Sequence, residues 1–85
     1  MRLTIVPEDS VVCIDKICIH GIDMSSIPSD VHAVQWYDTF GDVETVDPTT
    51  GKPVNTTIYS VEPYQTVIDL WYAAHNSVNQ EQTQP

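Results

Sequence analysis

Positive charge is nearly missing from this chain. Its 85 residues carry three cations, Arg2, Lys16 and Lys52, against twelve Asp and Glu, for a formal charge of −9. Phosphate recognition needs clustered Lys and Arg, so nucleic acid is excluded as a partner, and anionic membrane surfaces are excluded on the same ground. Glycine is scarce too. Gly21, Gly41 and Gly51 stand far apart, and no phosphate-cradling loop can be built from them. No apolar run approaches the ~20 residues of a membrane-spanning helix, and the first residues lack the charged-then-apolar layout of a signal peptide. With only two cysteines, Cys13 and Cys18, there is no second pair to complete a zinc knuckle.

What is present is an ordinary globular balance, 41% hydrophobic and 18% charged, with a length that allows one domain and one thin core. Residues 1–76 hold all the patterned segments and form the expected domain. Residues 77–85 are mostly Gln, Asn, Ser and Thr, with Glu81, Pro85 and Val78 as the one aliphatic residue, and are expected to be a flexible polar tail.

Residues 2–6 alternate and stop at Pro7, a short strand followed by the turn residues Glu8, Asp9 and Ser10. Two β-branched runs, 11–14 and 17–20, flank Asp15-Lys16, and a two-residue gap between such runs predicts a hairpin. Its register sets Ile14 against Ile17, Cys13 against Cys18 and Val12 against Ile19. Val12, Ile14, Ile17 and Ile19 then share the core side, with both cysteines on the other. A second hairpin is expected from 31–37 and 42–46 around a four-residue loop, with Trp36 opposite Val43 and Val34 opposite Thr45. Gln35, Tyr37, Asp42 and Glu44 fall on its polar face. Residues 55–59 are a weak further strand. From Pro63 to about His75 the period changes: Tyr64, Val67, Ile68, Trp71 and Ala74 recur at helical spacing, with Pro63 in the first turn and Ser60 or Glu62 as cap. The expected fold is α+β, a small antiparallel meander of four or five short strands with the C-terminal helix packed on one face.

Reactive constellations are sparse. Cys13, Cys18 and His20, with His32 or His75, offer zinc-type donors, but Cys-x4-Cys on a hairpin is not knuckle spacing and no metal site is assigned. Free thiols suit an intracellular protein, while cross-strand opposition also brings the two cysteines within disulfide range. Cys18 and His20 share a strand face but stand about 6.5–7 Å apart, beyond hydrogen-bond reach. Asp42 and Glu44 are two carboxylates on one exposed strand face, the ordinary arrangement of solvated side chains. No catalytic residue and no cofactor are assigned, and the chain is expected not to be an enzyme. The aromatics are more informative. Seven of them, two Trp, four Tyr and one Phe, are many for so small a core, so some must reach the surface. Tyr37 and Phe40 at a hairpin tip, and Leu70 with Tyr72 on the far side of the helix, are the candidate partner-binding residues, because aromatics are enriched at interface hot spots.

The opening Leu3-Thr4-Ile5-Val6-Pro7, the run Ser26-Ile27-Pro28-Ser29-Asp30-Val31-His32-Ala33-Val34-Gln35-Trp36, and Pro63-Tyr64-Gln65 before Trp71-Tyr72-Ala73-Ala74 resemble small bacteriophage proteins of tail-fibre gene neighbourhoods. The resemblance spans roughly residues 1–75. It implies a virion accessory or fibre-assembly role, with a phage tail or tail-fibre protein as partner, located in the virion tail or in the host cytoplasm during assembly. That family commonly has Asp-Gly at the first turn, where this chain has Asp15-Lys16, and its members lack the two cysteines. An alternative reading from charge alone is a small acidic inhibitor that occupies a basic site on a host protein.

Overall fold

Asp15 and Lys16 both take positive φ, 49° and 74°. This is the backbone that a two-residue hairpin needs to follow the right-handed twist of its strands, here met without glycine. Asp15 also ties the turn to the chain start. Its N–H donates to the Arg2 carbonyl (3.0 Å) and its carboxylate accepts the Arg2 N–H (2.9 Å).

The computed structural model describes the backbone of residues 1–83 and the side chains of residues 1–77. Six strands, β1 (Leu3–Val6), β2 (Val11–Ile14), β3 (Ile17–Ile19), β4 (Val31–Trp36), β5 (Gly41–Val46) and β6 (Pro53–Ile58), precede helix α1 (Gln65–Thr83). They form one antiparallel sheet in the order β3-β2-β1-β4-β5-β6, so the first strand lies inside it and a crossover through residues 20–30 carries the chain to its other side. The α+β class holds, with one strand more than the four or five expected. The first hairpin has the expected register, Ile14 opposite Ile17, Cys13 opposite Cys18 and Val12 opposite Ile19.

The second hairpin differs from expectation. Trp36 pairs with Gly41 and Val34 with Val43, and the Tyr37 N–H donates to the Phe40 carbonyl at 2.7 Å. The loop is therefore two residues, Asp38 and Thr39, with Asp38 at φ 98°. Each partner has moved by two positions, and because side chains alternate with period two, every residue keeps its expected face. Gly41 is where the tight turn requires a missing side chain. A Cβ there would collide with the Gln35 carbonyl oxygen and sit 2.9 Å from Trp36 Cα. Between Val31 and Ala33 the register slips by one residue. That bulge returns Val31, three positions from Val34, to the core side; both are buried.

Among the described residues only one face of the sheet is covered. Leu3, Ile5, Val12, Ile14, Val34, Trp36 and Val43 meet Tyr64, Val67, Ile68 and Trp71 from the helix side, with Ile22 and Ile27 of the crossover closing the core. The stripe on α1 faces inward as its spacing requires. Glu62–Tyr64 forms a 3₁₀ turn ahead of α1 whose N-cap position is Val61, with no side-chain cap bond, rather than the expected Ser60 or Glu62; the Ser60 hydroxyl accepts the Glu62 N–H (3.1 Å) as a local turn bond. Two more expectations are corrected. Ile17 is not in the core: it sits on the outermost strand, where the helix meets its backbone but leaves its side chain 47% exposed, while Ile19 is partly buried. The helix does not end near His75 but continues in backbone to Thr83, since Asn76 to Thr83 holds neither Gly nor Pro. The expected polar tail, 77–85, thus starts within the helix, and beyond Ser77 its side chains lie outside the described residues.

Candidate functional site

The uncovered face of the sheet carries the residues that strand alternation sends away from the helix: Thr4 on β1, Cys13 and Cys18 on β2 and β3, Gln35 on β4, Asp42 and Glu44 on β5. Polar groups pair across it. The Thr4 hydroxyl donates to Gln35 Oε1 at 2.9 Å, the Thr57 hydroxyl reaches Asp42 Oδ1 at 3.5 Å, and His32 Nδ1 lies 3.7 Å from Glu44 Oε1. Asp42 and Glu44 are half-buried and occupied by these neighbours rather than facing one another across a cleft.

At one end of this face lies a cleft of about 270 Å³ lined by Arg2, Thr4, Cys13, Lys16, Gln35 and Tyr37, with backbone from Leu3 and Trp36 along its floor. Two of the three cations in the chain therefore converge here. The Arg2 guanidinium lies over the Tyr37 ring, 5.7 Å from its centroid, a cation–π distance. The Met1 ammonium closes the same end through Asp38 Oδ1 at 2.6 Å. That bond holds the Asp38 carboxyl below the usual carboxylate range and raises the Met1 amine above its ordinary value. Cationic side chains around an aromatic ring suit a carboxylate-bearing partner.

Cys13 and Cys18 are joined in a disulfide, with Cα atoms 3.9 Å apart. Of the two readings open from the sequence, paired rather than free thiols is the one realised, and the bond removes both sulfurs as thiolate ligands or nucleophiles. No group of three or more His, Cys, Asp or Glu side chains is placed to hold a metal among the described residues.

The four candidate partner-binding residues divide into two pairs. Tyr37 and Phe40 are 38% and 46% exposed and in ring contact with each other, centroids 5.4 Å apart, at the tip of the β4–β5 hairpin. Leu70 and Tyr72 are 37% and 45% exposed on α1. The Tyr72 ring meets the edge of buried Trp71, and no ring contact joins it to Tyr37 or Phe40 among the described residues. Sequence reasoning placed Tyr37 and Phe40 together, but it missed Arg2 and Lys16 beside them. The signal was the hairpin itself: once β1 pairs with β2, Arg2 lies next to the Asp15-Lys16 turn. The weak strand expected over 55–59 is β6, Pro53–Ile58, but its exposed Val54 (45%) and Tyr59 just beyond it (78%) were not among the candidate surface residues.

No helix among the described residues is long and apolar enough to cross a membrane. No protein family, curated protein or solved structure matches the chain in the comparisons made.

Proposed function

We propose that this chain is a non-catalytic docking protein, a virion accessory subunit or assembly chaperone that binds a phage tail or tail-fibre component. The observation that carries the reading is Tyr37, which belongs at once to the exposed ring pair with Phe40 and to the cleft shared with Arg2 and Lys16. An aromatic anchor flanked by cations forms a binding surface without a nucleophile, a general base or a metal. The sequence resemblance supports the phage context, and the cleft that Tyr37 shares with Arg2 and Lys16 favours the hairpin tip over Leu70 and Tyr72 on the helix as the docking surface.

Quantitative mass spectrometry of purified particles tests the role. A fixed copy number marks a virion subunit; presence on tail-fibre protein in the producing cell but absence from particles marks a chaperone. Absence from both overturns the proposal. The double variant Tyr37→Ser/Phe40→Ser is expected to abolish the association, and Leu70→Ala/Tyr72→Ala to leave it intact. Binding to a basic host protein, lost at high salt and indifferent to Tyr37 and Phe40, would instead establish the acidic-inhibitor reading.

A further inference from the structure

The two ends of the sheet are unlike. At one end β3 is three residues long, and the helix packs over it. At the other, β6 pairs along all six residues with β5 and carries nothing on its outer side among the described residues. Every residue from Pro53 to Thr57 is exposed, and no charged side chain occurs in Pro53–Ile58 although the chain as a whole is at −9. Long edges in natural sheets are usually blunted by Lys, Pro, a bulge or a cover. Among the described residues the one such device within this strand is Pro53, at its first position, which leaves residues 54–58 open.

Alternation fixes which backbone groups point outward. The Asp47 N–H donates to the Lys52 carbonyl at 2.9 Å, so residues 52, 54, 56 and 58 bond inward to β5 while Pro53, Asn55 and Thr57 present their backbone to solvent. Pro53 falls on the outward set, where its missing N–H breaks no ladder bond. We infer that β6 is a self-association edge, on which a second copy of this chain adds its own β6 antiparallel about a twofold axis at Thr56. In that register Asn55 of one copy and Thr57 of the other exchange both backbone hydrogen bonds, and the symmetric pair does the same. On the helix side of the joined sheet, Val54 of each copy, 45% exposed, lies opposite Ile58 of the other, which is partly buried against its own core, so each exposed Val54 gains an apolar neighbour. Moving the axis to Asn55 sets Val54 against Thr56 and Ile58 against Lys52. Apolar matching therefore selects the Thr56 register, and it selects a copy of this chain, because both halves of each match come from the same strand. The nearest like charges on β5 across the seam, Asp42 of one copy and Glu44 of the other, stand three strand spacings apart, roughly 14 Å. That exceeds the Debye length of about 8 Å at physiological salt.

Thr56 meets its symmetry mate as a non-hydrogen-bonded pair, whose Cα atoms approach to about 4.5 Å, within disulfide range. Sedimentation over a protein concentration series, at low and moderate salt, should show a monomer–dimer equilibrium that strengthens as salt is added. Thr56→Lys, which places two ammonium groups together at the axis, should weaken the dimer about tenfold or more while circular dichroism and melting remain those of a folded monomer. Under mild oxidation Thr56→Cys should cross-link through the two introduced thiols, as mapped by peptide mass spectrometry, and Asn55→Cys should not. A monomer at every concentration for the parent chain and no cross-link for Thr56→Cys overturns the inference; so does equal cross-linking by both cysteine variants.

Discussion

The indole Nε1–H of Trp71, on the helix, donates to the backbone carbonyl of Ile17, on the outermost strand, at 3.0 Å. The one contact joins the last element of the chain to the first hairpin and satisfies the only polar atom of a side chain that is otherwise buried (3% exposed). Trp71→Ala is expected to cost about 3–5 kcal/mol, a large part of the stability of so small a domain. Trp71→Phe keeps most of the ring and removes the donor, which isolates a contribution of about 0.5–1.5 kcal/mol plus a small cavity. Urea unfolding of both variants separates the two terms.

Gly41 is expected to tolerate no side chain. Gly41→Ala must displace either the Gln35 carbonyl or the Trp36 backbone, at a cost of about 1–3 kcal/mol. The loss should appear in the melting temperature, and amide exchange should rise first in β4 and β5.

Reduction of the Cys13–Cys18 bond should weaken the fold without abolishing it. The closed loop is short, with a sequence separation of five, so the chain-entropy effect is about 2 kcal/mol. The positive-φ turn at Asp15-Lys16 and the burial of Val12 and Ile14 on the opposite face do not involve the sulfurs. The double variant Cys13→Ser/Cys18→Ser should retain the native chemical shifts outside β2 and β3 while its denaturation midpoint falls.

The Met1–Asp38 pair predicts a defined pH window. Asp38 is depressed in the folded chain, chiefly by the hydrogen bond from the ammonium, so its contribution is complete above the ordinary carboxylate pKa and fades as pH falls through the depressed value. The Met1 amine is raised, chiefly by the same bond, so its contribution is complete below the ordinary amine pKa and fades as pH rises through the raised one. Both groups are open to solvent, so the effect on stability is small and is better read by NMR titration. Asp38→Asn should return the amine toward its ordinary value.

Much of this was legible in the residues. The two-residue gap at Asp15-Lys16 fixed the first register, and helical spacing from Tyr64 to Trp71 identified the roof of the sheet. The second register was misplaced because Asp38, a non-glycine, takes the positive φ that makes a two-residue loop possible, which a four-residue loop starting at the same residue would not need. Face assignments survived because the displacement was even. The bulge had a signal that went unused: Val31 and Val34, three apart, can share a face only if an extra residue lies between them. The cleft was not legible, since it depends on β1 lying beside β4, and nothing local in residues 1–37 specifies that crossover. Neither was the bareness of β6, although a strand with aliphatics only at 54 and 58 has no continuous apolar face to bury.

With β1 placed between β2 and β4, the sheet consists of two local ribbons sewn together along one line, Leu3 to Trp36, Thr4 to Gln35 and Ile5 to Val34, and the helix that follows the second ribbon clasps the first. Each ribbon closes through short loops, but the seam joins residues about thirty apart and must wait for the crossover to swing round. Docking of the strands along that line is therefore the slow event in assembling the molecule, and parting there is its natural route of failure under load.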